Sequence, residues 1–204
     1  MREMSPIKRI CVYCGSNPGH DARFRAAARR LGENLAANRV GLVFGGGSAG
    51  LMGVIARSVR AHGGEVVGVI PKFLEGPERI FREADEIVIT ADMHERKRVM
   101  FERADAFVAL PGGIGTHEEL IEQLTWVQLG VHRKPVLIAN IAGFWDPLIA
   151  MFDHLRDGGF LPNEWGIDYL VAQDVEDILP MLQAAAARIG EEEKQDMTER
   201  VERM

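Results

Sequence analysis

Short apolar runs alternate with longer segments of helical period along most of the chain. This alternation constrains the fold most, because neighbouring parallel strands need a crossover of about a dozen residues or more, usually a helix. The runs 7–13, 40–44, 65–70, 86–90, 106–110, 135–140 and 169–172 read as strands. Between the first two, Asp21 is placed to cap a helix whose Phe24, Ala28, Leu31 and Leu35 fall on one face. Further helices are expected up to about Arg60, over 93–103, from the loop after 110 to near Gly130, over 146–156 and over 175–188. The runs 40–44 and 106–110 are continuously apolar, as strands covered on both faces should be. The expectation is an α/β protein with a doubly wound parallel sheet, forming a single domain over 1–190. The charged C-terminal tail over 191–204 reads as a solvated helix or a frayed end. No interdomain linker or short repeat is visible.

Composition narrows the function classes. With 47% hydrophobic and 26% charged residues among 204, the chain has material for a core and is not broadly disordered. No apolar run approaches the roughly 20 residues of a membrane helix, and the polar opening 1–6 carries no secretory signal. A cytoplasmic protein without a membrane partner is expected. The formal charge of −6 argues against nucleic acid as a partner, though a local site can oppose the global sign. Cys11 and Cys14 form a lone C-x-x-C. A redox pair or half a zinc site is one reading; the plainer one is a buried strand whose residues three apart face opposite ways.

Glycine marks the candidate site. Gly45, Gly47 and Gly50 match G-x-G-x-x-G, but after the second strand rather than the first. The acid expected about 20 residues on would be Glu65, which opens a strand instead of ending one. No Gly-Lys-Ser/Thr ending is present. What remains is a loop that lets backbone approach a ligand at a helix start, or simply tight packing. The second cluster, Pro111-Gly112-Gly113-Ile114-Gly115-Thr116-His117-Glu118-Glu119, can present N–H groups, a hydroxyl and the positive end of a helix to a phosphate. Thr116 and Glu119 equally fit a capping box, with Thr116 at the N-cap and Glu119 at N3. There the helix dipole would favour the Glu119 carboxylate, which could stabilise a cation or orient water. Met93-His94-Glu95-Arg96-Lys97-Arg98 is either a solvated basic face or a source of charge for a phosphate or a leaving base.

Taken together these pieces resemble the LOG (Lonely Guy) family, the cytokinin riboside 5′-monophosphate phosphoribohydrolases. The chain carries the family's P-G-G-x-G-T-x-x-E from Pro111 to Glu119 and its M-H-x-R-K from Met93 to Lys97. It also carries C-x-x-C-G-S from Cys11 to Ser16 and G-G-G-S-x-G-L-M-G from Gly45 to Gly53, with agreement over Leu124-Thr125-Trp126 and Gln128-Leu129-Gly130. The resemblance spans about residues 7–185. It implies a Rossmann-like fold, a homodimer, and hydrolysis of a nucleoside 5′-monophosphate to free base and ribose 5-phosphate, with no metal or other cofactor. It implies Arg96 and Glu119 as catalytic residues. It implies substrate contacts at Ser16, Gly46, Gly47, Glu78, Met93, Lys97, Gly112, Gly113, Ile114, Gly115, Thr116 and Thr125. Many plant members carry tyrosine where this chain has Ile114, and the stretch 74–85 diverges, leaving Glu75 and Glu83 as alternatives to Glu78. The label lysine decarboxylase, carried by many such sequences, finds no lysine here with surroundings suited to pyridoxal phosphate. A general AMP nucleosidase and a noncatalytic nucleotide or molybdenum-cofactor carrier are the competing readings.

Overall fold

The computed structural model describes residues 7–76, 80–161 and 168–202. Among them are seven strands: β1 (Arg9–Tyr13), β2 (Gly41–Phe44), β3 (Val66–Pro71), β4 (Glu86–Thr90), β5 (Ala106–Ala109), β6 (Val136–Ala139) and β7 (Leu170–Ala172). The helices are α1 (Ala22–Ala37), α2 (Gly50–Ala61), α3 (Met93–Arg103), α4 (Ile114–Gln128), α5 (Asp146–Asp157) and α6 (Val175–Glu202). All seven strands run parallel in one sheet of order β4-β3-β2-β1-β5-β6-β7. The doubly wound sheet expected from the alternation is present, and strand ends differ from the apolar runs by a residue or two.

Side-chain alternation along the strands builds two cores. Ile10 and Val12, Leu42 and Phe44, and Ala106 and Val108 join the core under α1, α2 and α6. Cys11 and Tyr13, Val43, Phe107 and Ala109 join the core under α3, α4 and α5. Cys11 and Cys14 are accordingly buried on opposite faces as free thiols. That agrees with the plainer reading of the C-x-x-C.

Helix ends show where local sequence was and was not decisive. The Asp21 side chain accepts from the Arg23 N–H at 2.9 Å and caps α1 as expected. The capping box expected at Thr116 and Glu119 is not formed. The N-cap of α4 is Gly113, so Thr116 lies inside the first turn and Glu119 in the second. A related reciprocal cap sits instead on α3, where Asp92 at the N-cap accepts from the Glu95 N–H at 2.8 Å and the Glu95 carboxylate accepts from the N–H of the preceding Ala91 at 2.6 Å. The last helix, expected to stop near 188, continues to Glu202.

Gly50, at the first position of α2, has φ +57° and lies against the Ser16 backbone, so that any Cβ would overlap the Ser16 carbonyl carbon. Gly63 has φ +75° in open space. Gly63→Ala should therefore cost only the left-handed backbone penalty of about 1–2 kcal/mol. Gly50→Ala should cost about 3 kcal/mol or more, because overpacking adds to that penalty. Urea unfolding of both variants tests this; equal losses would show that the loop from β1 is not pressed against α2.

Candidate active site

Strand order reverses direction between β1 and β5, and ligands of open α/β sheets bind in the crevice at such a point. Here the loops after β1, β2 and β5 are tied together through backbone. The Gly15 N–H donates to the Pro111 carbonyl at 3.0 Å, and the Leu51 N–H donates to the Gly15 carbonyl at 2.9 Å. A cavity of about 310 Å³ opens beside them, with Arg96, Glu119, Gly45 and Ser16 in its wall and residues 113–116 along one side. Met52, Leu74 and Met100 supply much of its apolar lining. A larger hollow of about 420 Å³ lies at the other sheet edge, by the starts of β6 and β7 near Pro135 and Tyr169, away from these groups.

Arg96 on α3 and Glu119 on α4 meet in the cavity wall. Arg96 Nη1 lies 3.0 Å from Glu119 Oε1, with the two side chains 11% and 10% exposed. The Arg96 Nε–H also donates to the Val69 carbonyl at 3.2 Å, which aims the guanidinium back over β3. Gly45 makes room for it, since a Cβ there would overlap Nη2. Burial pushes the Glu119 carboxyl up to about 6, against the lowering pull of Arg96. The dipole-favoured carboxylate expected at N3 is thus replaced by one that titrates just below neutrality. The reason is position: the dipole fades beyond the first turn, and desolvation then dominates.

The α4 start is open. No side chain caps it, and Gly113 and Gly115 leave empty space around their Cα atoms. Thr116 is buried, with its hydroxyl against Gly112, where a Cβ would collide. His117 Nδ1 lies 2.9 Å from the Gly113 carbonyl oxygen, and its ring packs 4.7 Å from that of Trp145, bracing the loop from behind. Ile114 is 87% exposed at the cavity rim.

Other expected contact residues fall elsewhere. Lys97 is not in the cavity wall. Its Nζ donates to Glu118 Oε1 at 2.6 Å and to Glu122 Oε1 at 2.8 Å, clamping α3 to α4. Burial opposes its charge, but these two carboxylates outweigh that and hold its pKa above the ordinary lysine value. Thr125 lies further along α4, its hydroxyl donating to the Ile121 carbonyl at 2.7 Å. Met93 places its sulfur 3.9 Å from Arg96 Nη1. Ser16, which also lines the first cavity, shares with Gly112 a second hollow of about 200 Å³ beside the loop. Gly46 and Gly47 hold the stretch before β4, through Gly46 O accepting from the Phe81 N–H at 2.8 Å and a bridge from Gly47 to Ile80. Glu78 lies outside the described residues. Gly45, Met52, Leu74 and Met100 were not singled out as site residues. Gly45 and Met52 lie in the motif from Gly45 to Gly53 and so carried a signal; Leu74 and Met100 did not.

A family profile described as possible lysine decarboxylase matches residues 52–182. The chain is 52% identical over 153 residues to a rice protein named probable cytokinin riboside 5′-monophosphate phosphoribohydrolase LOGL1, covering 75% of this chain and 69% of that one. It is 48% identical over 157 residues to the Arabidopsis thaliana cytokinin riboside 5′-monophosphate phosphoribohydrolase LOG7, covering 77% and 72%. Among solved structures, the molybdenum cofactor carrier protein of Chlamydomonas reinhardtii superposes with a TM-score of 0.67 at 23% identity, covering 88% of this chain and 98% of that one, a likeness of fold. With the motifs in order along the chain and relatives matched over most of both lengths, the protein belongs to the LOG family of cytokinin riboside 5′-monophosphate phosphoribohydrolases.

Proposed function

We propose that this protein hydrolyses the N-glycosidic bond of cytokinin riboside 5′-monophosphates, and of AMP, to free base and ribose 5-phosphate. The observation that carries the reading is the buried Arg96–Glu119 pair set beside an uncapped helix start. The relatives' names supply the reaction class; the residues supply a route. The α4 N–H groups at 114–116 receive the 5′-phosphate, and that remote binding energy positions a small substrate. As the C1′–N bond breaks, the bonding electrons pass to the base and the ribose becomes oxocarbenium-like. The Glu119 carboxylate faces that cation and orients water. The water oxygen bonds C1′, and the proton it releases replaces the sugar on the base nitrogen. Arg96 meets the negative charge growing on the base, while Met52, Leu74 and Met100 suit a flat heterocycle. The chain's own residues suffice for each of these steps, with no cofactor.

A carrier with the same fold would need the cradle but not a charged pair beside it, so the pair favours the hydrolase. A homodimer is supported by α4, which exposes Ile114, Ile121 and Thr125 along one side and Leu129 at its end. No helix among the described residues is long and apolar enough to cross a membrane.

Incubation with isopentenyladenosine monophosphate and with AMP, followed by chromatography, should yield free base and ribose 5-phosphate from both. Release of neither base would leave the carrier reading. Adenosine, which lacks the phosphate, should show kcat/KM at least about 10²-fold below AMP; comparable values would remove the cradle from the mechanism. Arg96→Ala and Glu119→Gln should each lower kcat by about 10²- to 10⁴-fold, the range for a positioned charged or proton-transferring group. The losses in the double variant should not add fully, since both groups serve one transition state. The working form of Glu119 is the carboxylate. Turnover in the wild type should therefore fall as pH drops through about 6, the value to which burial raises the group. Glu119→Gln should lose that limb. Activity that instead rises below pH 6 would make Glu119 the acid.

A further inference from the structure

Most arginines of this protein meet a carboxylate within 4 Å, as Arg9 meets Glu65 and Arg103 meets Glu86. Arg25 and Arg29, one turn apart on α1, and Arg57 on α2 pair with no carboxylate among the described residues. All three line one groove of about 400 Å³ between these helices, together with His62 and Glu33, over a floor that includes Val54. Glu33 is the groove's only acid, and its Oε2 already accepts from Arg30 Nη1 at 3.1 Å. Three arginines without a carboxylate contact among the described residues thus line one groove in a protein of net charge −6. Like charges gathered this way repel unless an anion joins them.

The groove is built rather than draped. The Ser58 hydroxyl donates to the Arg29 carbonyl at 2.6 Å, joining α2 to α1. Gly32 lets the helices close to the point where a Cβ would sit 2.6 Å from Ser58 Cβ. Arg57 is held at one end, its Nη1 donating to the Ser48 carbonyl at 3.0 Å, which leaves other guanidinium N–H groups for a ligand. A tethered arginine loses less entropy on binding than a free one. Both helices cover the sheet face opposite α3 and α4, so the groove is separate from the Arg96–Glu119 site.

We propose that the α1–α2 groove is a second anion site, taking a small oligophosphate of the di- or triphosphate class through Arg25, Arg29 and Arg57. Guanidinium forks match phosphate oxygens two at a time, and three of them match the charge of such a ligand. The volume suits a small molecule. A long nucleic acid is disfavoured by the chain's overall negative charge.

Calorimetric titration with sodium tripolyphosphate tests the site independently of any reaction at Glu119. The wild type should bind, and binding should weaken as salt rises from about 0.1 to 0.5 M. The Arg25→Ala/Arg29→Ala protein should bind about 10²-fold more weakly while its urea midpoint and its turnover of AMP stay as in the wild type. Arg25→Lys/Arg29→Lys keeps charge but loses the fork, and should fall between, about 10-fold weaker; it carries the test if the alanine protein does not fold. Absence of binding by the wild type overturns the proposal. So does equal binding by both proteins, which would place tripolyphosphate at the α4 cradle. Loss in the alanine protein of affinity for a single-stranded oligonucleotide, with no tripolyphosphate binding by either protein, overturns it in favour of a nucleic-acid surface.

Discussion

Arg96 and Glu119 are held 3.0 Å apart in a wall that leaves both side chains about a tenth exposed. At an effective dielectric of about 20 their attraction is on the order of 5 kcal/mol. Removing two such ions from water costs several kcal/mol each, so the pair contributes little net stability. Its neighbours are arranged to tolerate it all the same. Val69 offers a carbonyl, Gly45 withholds a side chain, and α3 and α4 are clamped by Lys97 between Glu118 and Glu122.

The sheet order creates the place where this pair can be used. Because chain direction across the sheet reverses between β1 and β5, the loops leaving these strands part and expose a crevice. Glycines then bring three loops within main-chain hydrogen-bonding distance, from Gly15 to Pro111 and from Leu51 to Gly15. The same packing leaves the first turn of α4 without a cap. Uncapped N–H groups facing a crevice stay solvated, so an anion proposed to bind there would displace water at low reorganisation cost.

The two faces of the sheet carry different electrostatic tasks. On the α3 and α4 side, cations and carboxylates are interleaved and mutually neutralised. On the α1 and α2 side, Arg25, Arg29 and Arg57 stand without carboxylate partners among the described residues. Placing the unneutralised arginines across the sheet keeps their field away from the Glu119 carboxyl, whose raised pKa depends on burial prevailing over nearby positive charge.

Much of this was legible in the chain itself. Strand–helix alternation set the layer order, because side-chain period alone decides which residues can face a core. The strand glycine loops, the Asp21 cap and the juxtaposition of Arg96 and Glu119 near one sheet edge also followed from local pattern and motif. Other features needed the tertiary structure. Thr116 and Glu119 satisfy a capping box on spacing, yet α4 begins at Ile114, with Thr116 inside its first turn and packed against Gly112. The motif reads Lys97 as a nucleotide contact; its pairing with Glu118 and Glu122, more than twenty residues away, needed the fold. The Glu119 pKa depends on how much water the assembled wall excludes, and the arginine groove on how closely Gly32 lets two helices approach. Sequence records periodicity and local hydrogen-bonding capacity; burial and long-range pairing exist only once the chain has closed upon itself.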